Sequence, residues 1–186
     1  AKYFIDKNGK IRWTHIGEGA YAESEQVIQK LLSEMGQTVD EEINNPAYTN
    51  SAETPEMYLG YARVEYLVSP ESVKPDELAT YSIPDKLPKS KFAYGGNWMI
   101  GREYASPETK SSLRLRFIAK DVYLVMRPKN NKQDPGLVLL TLDGQPVMSY
   151  SGKDAVKSTF LVKEDRLYHL INLPQPGEHI LDLDFL

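Results

Sequence analysis

The sequence predicts a mainly β protein in which an antiparallel β-sandwich follows a short unit of two strands and one helix. After residue 57, short runs of β-branched and aromatic residues recur, with turn signals every ~8–12 residues, as in known sandwiches. Apolar residues at helical spacing occur only before residue 36, which leaves no helix to cover a parallel sheet. An antiparallel sandwich is therefore favoured over alternating strands and helices.

The first element is a predicted hairpin. Two runs rich in β-forming residues, 3–5 and 11–16, flank the pair Asn8-Gly9. This pair readily supplies the positive φ angles that a tight hairpin turn requires. The sequence therefore predicts two antiparallel strands at the start of the chain.

A helix is predicted over about 22–35, with Glu23 or Ser24 as its N-cap and Gly36 as the residue that ends it. Its apolar residues fall on one face at helical spacing. They are Val27, Ile28, Leu31, Leu32 and Met35. We expect this face and the open hairpin edge to be covered by the sandwich, a neighbouring chain or an upstream domain.

Residues 37–56 are polar, interrupted by prolines and without apolar periodicity, which predicts a linker. The sandwich is predicted over 57–186. Within it, Leu113, Leu115 and Phe117 alternate with arginines, as in a sheet with one solvated face. Strands are predicted at 57–63, 92–101, 112–117, 121–126, 137–142, 145–150, 159–162, 166–173 and 181–185.

Composition excludes several function classes. The 22 basic residues do not outnumber the 26 acidic ones and form no basic block, so nucleic acid is not an expected partner. No stretch approaches the ~20 apolar residues of a membrane span, so this segment is not expected to insert into a membrane. Without cysteine the chain cannot perform thiol–disulfide chemistry or ligate zinc through sulfur. The start in mid-strand without methionine suggests a fragment of a larger protein.

No catalytic residue, metal ligand or cofactor is predicted. The histidines lack the spacing of a helical metal site or of a hydrolase signature, and we expect them at strand rims or in loops. They are His15, His169 and His179. Asp182 and Asp184 lie two apart on one face of a strand and could act as an acid–base pair or bind calcium. A solvated strand face is the favoured interpretation, and a hydrolase using Asp182 or Glu178 has no support from spacing.

Aromatic residues give the one hint of a ligand. Twelve tyrosines and two tryptophans offer flat faces on which sugar rings stack, with neighbouring polar groups to hold hydroxyls. The alternative is that Trp98 and its alternating neighbours form the sandwich core, and Tyr58 and Tyr61 are expected to pack beside the linker. The candidate ligand-binding residues are Tyr94, Asn97, Trp98, Arg102 and Tyr104.

The hairpin and helix resemble the end of a thioredoxin-like domain. The run 3–11 is similar to the hairpin after the cis-proline loop of TlpA-like redoxins, and a final helix follows the second strand in both. Ile16-Gly17-Glu18-Gly19-Ala20-Tyr21, followed by Glu25, Ile28 and Leu31-Leu32, is similar to the DipZ branch of cytochrome c biogenesis proteins.

The rest of the chain resembles the C-terminal module of the same family. The most specific part is Thr54-Pro55-Glu56-Met57-Tyr58-Leu59-Gly60-Tyr61-Ala62-Arg63, and Asn97-Trp98-Met99-Ile100-Gly101 partly matches a recurrent tryptophan strand. The resemblance implies an extracytoplasmic location, periplasmic or cell-surface, and a jelly-roll or carbohydrate-binding-module-like sandwich. It also implies a Cys-x-x-Cys redox centre upstream of residue 1, which this chain does not contain.

From the resemblance we expect residues 1–36 to be a ββα remnant of a thioredoxin-like domain, 37–56 a linker and 57–186 the sandwich. The chain is then a non-catalytic accessory module of a thiol–disulfide oxidoreductase, with that upstream domain as its partner. Carbohydrate or a client protein is the expected ligand. The alternative is a structural or dimerisation module that shapes the substrate entrance of the redox domain.

Overall fold

The computed structural model describes residues 1–16, 19–37, 52–129 and 135–186. The chain divides into two compact units, Ala1–Asn50 and Ser51–Leu186. Most of the predicted linker lies outside the described residues, and the domain boundaries at 36 and 56 stay a prediction. Within the described ranges, no helix is long and apolar enough to cross a membrane.

The first unit contains the predicted hairpin. Strand β1 (Lys2–Ile5) pairs in antiparallel fashion with β2 (Ile11–His15). The turn between them uses Gly9 at a φ of 77°, and the Asp6 carboxylate accepts the backbone N–H groups of Asn8 and Lys10 at 2.9 and 3.0 Å. The hairpin prediction is therefore confirmed.

Helix α1 (Tyr21–Ser33) confirms the predicted helix but begins differently. Its N-cap is Ala20, in the left-handed region, and no side chain caps it. The prediction of Glu23 or Ser24 as the cap is wrong because the helix starts one turn earlier, so that the Ser24 hydroxyl donates to the Ala20 carbonyl. At the other end Gly36, at a φ of 78°, ends the helix as predicted.

The apolar face of α1 is not uniformly buried. Val27, Leu31 and Leu32 are half-buried, whereas Ile28 and Met35 expose 39% and 51% of their surface. The expectation that a sandwich, neighbouring chain or upstream domain covers this face stays a prediction.

The second unit is an antiparallel sheet system with strand order β3-β4-β6-β10-β7-β8, in which β5 also pairs with β4 and β9 with β7. This mainly β, sandwich-like architecture confirms the predicted fold class. The strands are β3 (Leu78–Tyr81), β4 (Lys91–Ile100), β5 (Ala105–Pro107), β6 (Ser111–Met126), β7 (Gly136–Leu142), β8 (Gln145–Pro146), β9 (Thr159–Val162) and β10 (Arg166–Phe185).

Several predicted strands differ from the observed ones, and the run 145–150 forms a strand only at Gln145–Pro146. The run 57–63 forms no strand, because its backbone is bound to the β4–β5 turn instead. The runs 112–117 and 121–126 are one strand, β6, and the two predicted strands 166–173 and 181–185 are both part of β10. Long strands look like several short ones in the sequence because their polar interruptions resemble turns.

Alternation along β6 separates the two faces of the sheet. Leu113 and Phe117 are buried in the core, while Arg114 and Arg116 lie on the opposite face. The antiparallel register places Leu113 opposite Leu183 of β10, so the leucines of the two strands meet on the inner face. The core is thus built mainly from alternate residues of β4, β6, β7 and β10.

Two irregularities interrupt the pairing of β10 with β6, between His169 and Ile171 and between Asn172 and Gly177. At the first one, the neighbouring residues Leu170 and Ile171 are both fully buried, which regular alternation does not permit. The strand therefore contains a β-bulge at Leu170, which changes the face of the residues between it and the second irregularity.

Gly152 packs against this part of β10 and should be intolerant of a side chain. A Cβ there would lie 2.2 Å from the His169 carbonyl oxygen, and that backbone is fixed by the bond from Gly152 N–H to the Leu170 oxygen at 2.9 Å. We expect Gly152→Ala to lower the free energy of unfolding by about 2 kcal/mol or more, measured by urea denaturation.

Gly136→Ala is the matched control. A Cβ at this position meets the Val162 side chain at an ordinary 3.8 Å, so the free energy of unfolding should change by about 0.5 kcal/mol or less. Equal stabilities of the two variants would contradict the packing described for Gly152.

Candidate functional site

Tyr94 and Trp98 lie in the core, with exposed fractions of 0% and 1%. Their ring centroids are 4.6 Å apart. Each polar group bonds inward: the Tyr94 hydroxyl donates to the Leu59 carbonyl at 2.6 Å, and Trp98 Nε1 donates to the Gly95 carbonyl at 3.0 Å. Neither ring offers a face to solvent, and their burial supports the interpretation as core residues.

Asn97 lies on the outer side of β4 because it alternates with the buried Trp98. Its side chain is exposed, and its Oδ1 accepts the Thr80 hydroxyl of the neighbouring strand at 2.6 Å. Its backbone N–H donates to the Ser111 hydroxyl. The structure therefore separates Asn97 from the buried aromatics that precede and follow it.

Arg102 and Tyr104 are both exposed on the turn between β4 and β5. Tyr104 exposes 45% of its surface, and the turn is closed by a bond from Gly101 N–H to the Tyr104 carbonyl at 2.9 Å. A Cβ at Gly101 would lie 2.6 Å from the Tyr104 ring, so the ring rests directly on this glycine. The turn thus holds an aromatic ring in a fixed place at the surface.

The segment around Tyr61 is hydrogen-bonded to this turn. The backbone N–H groups of Tyr61 and Ala62 donate to the carbonyls of Gly101 and Arg102 at 3.0 and 2.9 Å. Gly60 lies so close that a Cβ would be 2.5 Å from the Glu103 backbone. The aromatic run around Tyr61 therefore ends beside the turn, although some 40 residues separate the two in sequence.

The Tyr61 side chain adds a phenol–carboxylate pair to the same surface. Its hydroxyl donates to Asp76 Oδ2 at 3.0 Å, and this bond raises the pKa of Tyr61, while the positive charge of Arg102 acts in the opposite direction. Asp76 is held there because its backbone N–H donates to the Ile100 carbonyl at 2.9 Å.

Arg127 completes the arrangement with its guanidinium 5.7 Å from the centre of the Tyr104 ring, a cation–π contact. In the described part of the chain, no carboxylate forms an ion pair with Arg102 or Arg127. We call this set the turn surface. Its members are Tyr61, Asp76, Arg102, Tyr104 and Arg127.

The turn surface carries groups that can bind a polar ligand. It combines an exposed ring, a phenol, a carboxylate and two guanidinium groups, which can stack on a sugar and bond its hydroxyls. The sequence pointed to Arg102 and Tyr104 but missed Asp76 and Arg127, and assigned Tyr61 to packing. No local signal links these residues, because only strand pairing brings them together.

The acidic residues considered for catalysis have structural partners. Asp182 pairs with Arg114 at 2.6 Å. Glu178 pairs with Lys89 and Arg116, and these two cations lower the pKa of its carboxyl. Burial, together with the charge of Asp182, raises the pKa of Asp184. Among the described residues, no group of three or more potential ligands forms a metal site.

Each of the three histidines contacts a different neighbour. His15 stacks on Trp13, and His179 Nδ1 lies 2.7 Å from Asp143. His169 is buried in β10, with Nε2 2.9 Å from Asp121. The rim or loop location expected for the histidines does not hold for His169, which lies within β10 and is covered by the ring of Tyr123.

Comparison with known proteins places the second unit in one family. The family model of the thioredoxin-like C-terminal domain matches residues 54–186. The chain is also 27% identical over 154 residues to Protein DipZ of Mycobacterium bovis (strain ATCC BAA-935 / AF2122/97) and to Protein DipZ of Mycobacterium tuberculosis (strain CDC 1551 / Oshkosh). Each alignment covers 78% of this chain and 21% of the relative, so the chain spans about a fifth of their length.

The buried Tyr94 should make stability sensitive to alkaline pH. Burial, with a smaller contribution from Tyr81, raises the pKa of Tyr94 above its ordinary value of 10.0. Above that pH the unfolded chain releases a proton that the folded protein keeps, so the free energy of unfolding falls as pH rises. We expect Tyr94→Phe to flatten this fall between about pH 9 and about pH 11, measured by urea denaturation.

Tyr3→Phe serves as the control, since Tyr3 is 61% exposed and its replacement removes a phenol hydroxyl from the surface and not from the core. Tyr94→Phe should also be less stable at neutral pH by about 1 kcal/mol, because the bond to the Leu59 carbonyl is lost. Parallel pH curves for Tyr94→Phe and the parent chain would contradict the assignment.

Proposed function

Because the chain belongs to the family of thioredoxin-like C-terminal domains, we propose that it is the non-catalytic accessory module of an extracytoplasmic, DipZ-type disulfide oxidoreductase. The absence of cysteine supports a non-catalytic role. Disulfide exchange needs an attacking thiolate and a resolving thiol, and this chain supplies neither. The redox centre of the parent protein would then lie in another part of its chain.

The first unit supports this parentage. A two-stranded hairpin followed by a helix is the arrangement expected at the end of a thioredoxin-like domain. The hairpin leaves Ile5 and Ile11 57% and 59% exposed. A partner domain that packed against them would remove this apolar surface from water. We propose the thioredoxin-like domain of the parent as this partner.

We further propose that the turn surface binds a glycan and thereby places the redox domain next to its substrates. The observation that carries this proposal is the fixed, exposed ring of Tyr104, with the guanidinium groups of Arg102 and Arg127, which pair with no carboxylate of the described residues. The C–H faces of a sugar stack on an aromatic ring, and its hydroxyls accept hydrogen bonds from guanidinium N–H groups.

A structural role is the second candidate. In this alternative the module only packs against the redox domain, shapes its substrate entrance or forms a dimer. The exposed apolar residues of the first unit favour it, since they need a cover whatever the sandwich binds. The two candidates differ in one respect: only the first requires the turn surface to hold a ligand.

A pull-down on insoluble glycans separates the two candidates. The 186-residue chain is incubated with cellulose, chitin and isolated peptidoglycan, and the bound fraction gives an apparent Kd. We expect Tyr104→Ala to weaken retention about fivefold, since a lost stacking contact costs about 1 kcal/mol, and Arg102→Ala to weaken it as well.

Tyr3→Ala is the matched control, because it removes an exposed tyrosine from the first unit and should leave retention unchanged. Thermal unfolding checks that all variants are folded. If no glycan retains the chain, or if all variants bind equally, the turn surface is not a glycan site and the structural role is favoured.

A further inference from the structure

Tyr123 and His169 form a stacked pair on the part of the sheet where β6 approaches its end. They face each other across the β6–β10 pairing, with ring centroids 4.4 Å apart and planes inclined by only 16°. Tyr123 exposes 51% of its surface, whereas His169 exposes 9%. A half-exposed phenol ring therefore lies on a buried imidazole, which acts as its support.

The imidazole is held rigidly. His169 Nε2 lies 2.9 Å from Asp121 Oδ1, and since a carboxylate only accepts, Nε2 carries the hydrogen. The backbone N–H of His169 donates to Asp154 Oδ2 at 2.8 Å. Asp154 is itself fixed by Arg166, which, together with the His169 N–H, lowers the pKa of the Asp154 carboxyl. The orientation of the Tyr123 ring is thereby set before any ligand arrives.

The bulge at Leu170 brings a further polar group to this surface. His169 and Asn172 are three residues apart, a separation that places residues on opposite faces of a regular strand. The extra residue returns both to the same face, so that Asn172 Nδ2 donates to Asp121 Oδ1 at 2.6 Å. Tyr123, Asp121 and Asn172 thus lie together.

Asp121 and Asn172 can still form hydrogen bonds with a ligand. Both donors bond to Oδ1 of Asp121, and its Oδ2 has no hydrogen-bond partner among the described residues, while the side chain is 29% exposed. Asn172 is exposed and retains an amide oxygen and a second N–H. A sugar hydroxyl can donate to the carboxylate and accept from the amide.

The same face continues towards the turn surface. Two residues beyond Tyr123 lies Val125, paired with Leu167, and these side chains are 66% and 53% exposed. Two residues further is Arg127, whose guanidinium contacts the Tyr104 ring. At the rise of an extended strand, the four steps from 123 to 127 span about 13 Å, the length of two to three sugar rings.

We propose that Tyr123, Asp121 and Asn172 form a second sugar subsite, which we call the platform. With Val125 and Leu167 as the apolar floor between them, the platform and the turn surface bind one neutral oligosaccharide of three or more rings. Such a ligand fits because its rings stack on the two tyrosines while the carboxylate of Asp121 would repel an acidic sugar.

The inference rests on the proposed glycan function and predicts in addition a dependence on chain length. The 186-residue chain is titrated with β-1,4-linked glucose oligomers, and in parallel with N-acetylglucosamine oligomers, of one to six units, by calorimetry. We expect affinity to rise at least tenfold between the dimer and the tetramer in the series that binds. Tyr123→Ala should remove this gain and leave binding of the dimer unchanged.

Tyr123→Phe is the matched control, because it keeps the ring on His169 and should retain the gain with length. Chemical shifts of the Asn172 side-chain amide in the parent chain give a readout that needs no variant: they should move with the tetramer and not with the dimer.

Binding without length dependence, or a length gain that survives Tyr123→Ala, overturns the platform but leaves the turn surface as a glycan site. Absence of binding to every oligomer overturns both.

Discussion

The pairing of β6 with β10 is the interaction on which the rest of the second unit depends. These two long strands run side by side from Ser111 and Phe185 to Met126 and Arg166, and the other strands of the sheet join them through β4, which pairs with β6, and β7, which pairs with β10. Alternation along them assigns leucines to the core and the Arg114–Asp182 pair to the other face. A strand pair this long twists and bends, which allows one continuous sheet to enclose its own core.

The bulge that interrupts this pairing at Leu170 creates the polar group of Asp121, His169 and Asn172 at the surface. A regular β10 would direct His169 and Asn172 to opposite faces, and Asp121 would have only one of them as a partner. The bulge at Leu170 places both beside Asp121 and buries two consecutive apolar residues on the other side. One extra residue therefore strengthens the core and creates a polar group of fixed geometry at the surface.

Aromatic residues are divided between core and surface by their strand positions rather than by their chemistry. Trp98 and Tyr94 share a parity on β4 and are buried, while Tyr104, on the following turn, is exposed because Gly101 gives its ring a place to lie. The candidate residues Tyr94, Asn97, Trp98, Arg102 and Tyr104 lie close together in the sequence. Alternation across β4 separates them, so only Arg102 and Tyr104 reach the turn surface.

The fold class, the hairpin at Asn8-Gly9, the helix that Gly36 ends and the absence of thiol chemistry can be predicted from the sequence, because they follow from local periodicity, turn preference and composition. The three-dimensional arrangement of the strands was needed to show that Tyr61 and Asp76 lie beside Arg102, and that Tyr123 lies on His169. Those contacts depend on strand register and on a bulge, and a shift of one residue in either sends a side chain to the opposite face. Periodicity reveals which residues share a face of a strand, but it does not reveal which strand lies next to it.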